Sequence, residues 1–240
     1  MGGVIESLTF LNSLHFEKRV KSSSAIPTPT RIMVRNPISS LKERAMKTLA
    51  ILAMVVASAL PAQTIAIINS TRKTSDATVQ ATANAVAVQV HNEYKAKWGY
   101  DATFVFVGKN QTPPAGAWNV YVDDRKGDYH TVLNKTKLPV AYCHVSGVSQ
   151  DYWTNTVSHE VLEMRTDPFV DQTYTRPNGT TGYVEVCDAC ETNDQGYRIS
   201  GVLMSDFVYP SWFSASGTSP FDYRGLITAP FQVLPGGYLP

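Results

Sequence analysis

The chain has 240 residues, 43% of them hydrophobic, 10% aromatic and 17% charged. This length suits one domain, with or without a tail. The apolar share excludes disorder throughout, a collagen-like repeat and a disulfide-bound miniprotein. The net charge of +1 is unevenly placed: residues 1–47 hold eight Lys/Arg against three Asp/Glu, and the rest hold 13 against 17. A mildly acidic body without a Lys/Arg run excludes nucleic acid as the main partner.

Residues 1–45 are basic, spotted with Ser and Pro and without periodicity, and read as a disordered or non-native leader. Residues 46–62 join a basic start at Lys47 to a short apolar run and a small-residue end, the pattern of a secretory signal peptide. The run is shorter than the roughly 20 residues a bilayer span needs, so no integral membrane span is expected in the mature chain. Translation from Met33 or Met46 would bring this segment to the N-terminus. Cleavage after Ala59 or Ala62 would leave a secreted single domain, 63–240, of about 180 residues.

The folded part begins with a short apolar strand over 64–69. A helix over 76–98 follows, with Ser75 or Asp76 to cap it and Gly99 placed for a left-handed C-cap. Val79, Ala83, Val86, Val90 and Tyr94 mark its buried face at three- and four-residue spacing. Four β-branched or aromatic runs, 103–107, 118–122, 129–133 and 140–145, read as strands separated by Gly, Pro, Asp and Asn clusters. A second helix runs over 151–166 and stops at Asp167-Pro168. Beyond it come a strand-like stretch, 183–187, and a hairpin of 197–199 with 202–204 about Ser200-Gly201. An aromatic-rich tail closes the chain. The order β-α-β-β-β-β-α predicts an α/β (α+β) fold, with one mixed sheet, two helices packed on a face and an irregular β-rich C-terminal part.

The second helix carries Ser158-His159-Glu160-Val161-Leu162-Glu163. His159 and Glu163 are four apart and share a face, with Glu160 about 100° round the helix. This is the spacing of H-E-x-x-H, where two ligands one turn apart hold zinc and the intervening Glu activates water. Glu replaces the second His here, which zinc accepts and which makes Mn²⁺ or Ca²⁺ the secondary choices. The same pair on a solvated helix face would be a small stabilising contact and nothing more. A third ligand is needed. Asp167 stands eight residues beyond His159, roughly 12 Å along a straight helix, and fits the role of helix terminator better. Glu185 and Asp188 are the better candidates, since 26 residues separate Glu185 from His159 and allow the chain to return. On a strand there, Asp188 would share parity with Val184 and Val186. His144 is the outlying candidate. Cys187 and Cys190 could close a small disulfide loop, or one of them could pair with Cys143.

Ser158–Met164 with Asp167-Pro168, Val184–Asp188, Ser205–Val208 with Pro210 and Phe213, and Gln232–Tyr238 together resemble a group of uncharacterised bacterial and phage-associated proteins. At the level of fold, the strand, long helix and strands before the H-E-x-x helix resemble the zincin metalloproteases, metzincins especially. That resemblance implies that His159 binds zinc, that Glu160 is the general base, and that Glu163 occupies the second-ligand position. The implied activity is hydrolysis of peptide or protein substrates. The third His of metzincins is missing, and Met204 is the one candidate for their Met-turn. Two other classes compete. A non-catalytic binding or structural protein on the same scaffold would use the aromatic group Phe207, Tyr209, Trp212, Phe213, Phe221 and Tyr223. A metal-free glycosidase would pair Glu160 or Glu163 with Asp188 across roughly 5–9.5 Å.

Overall fold

The computed structural model describes residues 62–125 and 127–239. The leader 1–45 and all of the signal-like segment 46–62 except Ala62 lie outside the described residues. β1 (Gln63–Asn69) is apolar on both sides, as the centre of a parallel sheet requires. Alternation sends Ile65 and Ile67 to one face and Ala66 and Ile68 to the other, and all four are buried. The chain then enters α1 (Asp76–Gln89), whose first turn is capped by Ser75 Oγ accepting from the Thr78 N–H at 3.1 Å. The helix continues through a π turn (Val90–Tyr94) into α2 (Lys95–Trp98) and stops at Gly99, at φ 75°. The expected helix 76–98 is thus continuous, with a π turn that the expectation lacked.

β2 (Ala102–Val107) lies parallel to β1 on one side, and β3 (Trp118–Asp123) lies parallel on the other. β5 (Pro139–His144) adds in parallel to β3, and β4 (Tyr129–Val132) folds back antiparallel along its outer edge. The sheet order is β2-β1-β3-β5-β4, mixed and five-stranded. α3 (Gln150–Thr166) follows, with Ser149 Oγ accepting from the Tyr152 N–H at 3.1 Å. α1 and α3 pack side by side on one sheet face, where Val79, Val86, Val157 and Val161 share a core with Ile65, Ile67, Val120 and Ala141. A smaller cluster of Ala66, Ile68, Val107 and Ala117 covers the other face. The mixed α/β class, the mixed main sheet and the two helices packed on one of its faces are as expected.

The C-terminal part is loop-rich. β6 (Thr173–Thr175) and β7 (Thr181–Tyr183) form one hairpin. β8 (Tyr197–Ile199) and β9 (Val202–Met204) form another, through Ser200 at φ 51° and Gly201 at φ 85°, the paired left-handed residues of a tight hairpin turn. The strand expected over 183–187 is corrected: pairing ends at Tyr183, and the chain leaves the ladder to run beneath α3. Two hydrogen bonds hold it there, from Cys187 N–H to Glu163 Oε1 at 3.1 Å and from Val208 N–H to Val186 O at 2.7 Å. A single 3₁₀ turn (Asp188–Cys190) follows. Four of the six aromatic residues, Phe207, Tyr209, Trp212 and Phe221, are core rather than display surface, while Phe213 is half-buried and Tyr223 exposed. Trp212 is 1% exposed, donates through Nε1 to Gln232 O at 2.9 Å and packs against the rings of Tyr174, Phe213 and Phe231. Among the described residues, no helix is long and apolar enough to cross a membrane.

Candidate metal centre

Ser158, one residue before the motif, sets the roll of α3. Its Oγ–H donates to Gln89 Oε1 on α1 at 2.7 Å, and the same oxygen accepts from the Ser205 N–H at 3.0 Å. With Ser158 turned into the core, His159, Glu160 and Glu163 are carried toward β4 and the segment after β7. Glu163 Oε1 is fixed by the Cys187 N–H. Its Oε2 lies 2.9 Å from His159 Nε2, and Asp188 Oδ1 lies 3.3 Å from that same nitrogen. These separations are close to the roughly 3.3 Å between neighbouring ligand atoms around a tetrahedral zinc with bonds near 2 Å.

The expected site residues divide into two groups. His159, Glu163 and Asp188 come together. Glu185 lies further along, with Oε2 3.9 Å from His130 Nε2. Asp188 reaches His159 from the head of the 3₁₀ turn, not by strand parity with Val184 and Val186. Asp167 is the C-terminal cap of α3, and its two oxygens accept from the Asp171 and Gln172 N–H groups at 3.0 Å each, which keeps it out of the cluster. His144 is engaged elsewhere, with Nδ1 2.7 Å from Asp128 Oδ2.

Sequence reasoning missed His130. It sits on β4, its side chain is 5% exposed, and its Nδ1 lies 3.5 Å from Glu160 Oε2 and 3.9 Å from Glu163 Oε2. The available signal was a histidine sharing strand parity with Val132. Nothing local to 129–133 shows that β4 folds back against β5 and passes under α3.

Three overlapping sets of donor atoms lie within 4.8 Å of one another: His159, Glu163 and Cys187; His130, Glu160 and Glu163; His159, Asp188 and Glu191. Cys187 is the poor member. It is buried, its S–H donates to His159 O at 3.8 Å, and burial pushes its thiol pKa well up, disfavouring the thiolate that a metal needs. The three cysteines, Cys143, Cys187 and Cys190, are all free, so neither expected disulfide forms.

The cluster's electrostatics are those of crowded carboxylates. Burial pushes Glu163 up to about 7 and Glu185 up to about 8, with His159 and His130 respectively pulling back. Burial opposes charge on His130, but Glu160, Glu163 and Glu185 outweigh it and raise the imidazole to about 9. His159 is raised in the same way against its burial, by Glu163 and Asp188 foremost. Four buried atoms have no hydrogen-bond partner: His130 Nε2, Glu160 Oε2, Glu185 Oε2 and Asp188 Oδ1. Buried polar atoms short of hydrogen bonds are costly, and these four meet only ion-pair contacts, Glu160 and Glu185 with His130 at 3.5 and 3.9 Å and Asp188 with His159 at 3.3 Å.

A cavity of about 470 Å³ opens over His159 and Glu160, lined also by Tyr152, Asn155 and Glu191. A second, of about 180 Å³, reaches Glu163, Glu185 and Asp188, and both are bordered by Tyr238. The C-terminal segment reaches the cluster through Tyr238, whose N–H donates to Asp188 O at 3.0 Å. A glycosidase pair needs open space between its carboxyls. For the Glu163–Asp188 pair, the His159 ring nitrogen lies between the two, 2.9 and 3.3 Å from their oxygens. No family model, curated protein or solved structure matches the chain.

Proposed function

We propose that this protein is a zincin-type, metal-dependent hydrolase acting on peptide bonds, with His159, Glu163 and Asp188 as ligands and Glu160 as general base. The observation that carries this reading is the convergence of Glu163 Oε2 and Asp188 Oδ1 on His159 Nε2, at 2.9 and 3.3 Å, below a cleft that Glu160 also lines. The donor set suits the ion. One imidazole and two carboxylates are ordinary zinc ligands, and Asp188 Oδ1 has no hydrogen-bond partner despite its burial. Because Glu163 replaces a neutral histidine, Mn²⁺ and Ca²⁺ come next in preference.

A divalent ion in this position supplies Lewis acidity and lowers the pKa of a water molecule. The chain's own residues supply the rest. Glu160, which lines the larger cavity, accepts the water's proton and returns it to the leaving amine. The free edge of β4, whose Tyr129 and His130 border the smaller cavity, offers backbone groups to an extended peptide. Tyr238 closes the opposite wall.

The test is elemental analysis of the purified full chain beside His159→Ala and Glu163→Ala, followed by hydrolysis of a peptide library. Bound zinc in the parent, lost in His159→Ala, and chelator-sensitive cleavage would support the reading. Glu160→Gln should lower kcat/KM by about 10²–10⁴-fold while the ion at His159 is retained. No metal in the parent, with unchanged melting in both variants, would overturn it. Bound metal without cleavage of any peptide would favour a non-catalytic scaffold.

A further inference from the structure

We propose that the cluster binds two divalent cations: one at His159, Glu163 and Asp188, and a second at His130 Nδ1, Glu160 and Glu163, with Glu163 Oε2 shared between them. This rests on the metal-centre reading above and adds a second ion to it, with Glu160 ligating through Oε2 and keeping Oε1 for the proton.

Geometry makes Glu163 the pivot. Its Oε1 is held by the Cys187 N–H, so Oε2 is the oxygen left to face both imidazoles, 2.9 Å from His159 Nε2 and 3.9 Å from His130 Nδ1. Glu160 Oε2 completes the second set at 3.5 Å from His130 Nδ1. These side chains are not an exposed acidic patch. His130 is 5% exposed and Glu160 6%, and Glu160 Oε2 has no hydrogen-bond partner in that buried space. Glu185 stands behind the ring, with Oε2 3.9 Å from His130 Nε2, itself unpartnered. A carboxylate there favours the tautomer protonated at Nε2 and turns the lone pair of Nδ1 inward, the usual arrangement behind a ligating histidine.

Charge balance points the same way. Glu160, Glu163, Glu185 and Asp188, with Glu191 beside them, crowd five carboxyl groups together, and among the described residues the first four have only His130 and His159 as ion-pair partners. With both imidazoles neutral, as ligands must be, one divalent ion does not offset the carboxylates gathered here, and a second brings the balance nearer to neutral. One shared carboxylate with a histidine on either side is the arrangement that brings two ions within the few ångströms typical of paired-metal sites.

The test uses the full chain, stripped with chelator and reloaded with Mn²⁺ by equilibrium dialysis. The parent should take up two equivalents and show a spin-coupled pair by electron paramagnetic resonance. His130→Ala should take up one and show an isolated ion, with circular dichroism unchanged. If that variant fails to fold, Glu185→Gln replaces it, and should weaken only the second equivalent, by about 10–100-fold. Two equivalents in the parent without any loss in either variant would overturn the assignment of the second site. One equivalent in the parent, indifferent to His130→Ala, would overturn the second cation and leave the proposed hydrolase standing. No uptake by the parent would overturn both.

Discussion

Asp206 is fully buried, and its Oδ1 accepts from the Phe207 N–H at 2.8 Å and the Arg224 N–H at 3.2 Å. Its Oδ2 has no partner when the group is read as a carboxylate. Burial, and then the facing Asp222, push its pKa up to about 8, so the folded protein holds a proton there that Oδ2 can donate to Asp222. Asp222 in turn accepts from the Leu226 and Ile227 N–H groups at 2.8 and 3.0 Å. The two acids thus pin the irregular C-terminal part. An unfolded aspartate titrates near 3.9, so this proton's contribution is complete below about pH 4 and is lost as pH rises toward 8. Each unit in that window costs up to about 1.4 kcal/mol. Asp206→Asn keeps the Oδ1 acceptor and turns an amide toward Asp222. It should flatten the fall in melting temperature between pH 5 and 8 and raise melting at pH 8. Parallel pH profiles for parent and variant would show that no proton is shared there.

The two long helices are coupled through a buried polar relay in which every group is paired. Gln89 Nε2 donates to Ser205 O and to the Tyr197 hydroxyl, each at 2.9 Å, while its Oε1 accepts from Ser158. Ser158→Ala would leave Gln89 Oε1 and the Ser205 N–H unpaired. It should cost about 2 kcal/mol, or roughly 4–8 °C in a domain of this size, as measured by thermal melting. One turn further along α1, Tyr94 donates to Leu162 O and pairs with Thr166, so both helices are fixed at two levels. The π turn between Gln89 and Tyr94 serves this registry. Val86, Val90 and Tyr94 advance by two successive four-residue steps, which outrun a 3.6-residue period and would carry Tyr94 off the buried face. The wider turn returns it. That spacing was visible in the sequence and read only as helical periodicity. The caps at Ser75 and Gly99 were equally legible, because each depends on local chemistry alone. The 184–188 stretch was not, because its path depends on hydrogen bonds to Glu163 and Val208, partners 24 and 22 residues from Cys187 and Val186 respectively. Half of the site followed from one helical turn. His130 followed only from sheet order, which residues 129–133 do not encode.

At the scale of the whole molecule, the cluster is where separate parts of the chain meet. β4 contributes His130, α3 contributes His159, Glu160 and Glu163, the segment after β7 contributes Glu185 and Asp188, and the tail contributes Tyr238. Gly237 shows how closely the tail is seated, since a Cβ there would stand 2.6 Å from Asp188 O. Metal-free, this junction gathers carboxylates whose main compensation is two histidines, so it strains the contacts that join these four segments. A cation bound as proposed would relieve that repulsion in the folded state and would have no equivalent site in the unfolded chain. Stabilisation would then follow the ion's concentration, reaching about 2.7 kcal/mol at a hundredfold excess over Kd, or roughly 5–10 °C for a domain of this size. Adding Zn²⁺ or Mn²⁺ to chelator-stripped protein should raise its melting temperature by that amount, and chelator should reverse the gain. His159→Ala should lose most of the response. His144→Ala should keep it, because His144 is bound to Asp128 outside the ligand set. An equal response in the parent and in both variants would trace the effect to ion binding elsewhere, and would separate the stability of the junction from metal altogether.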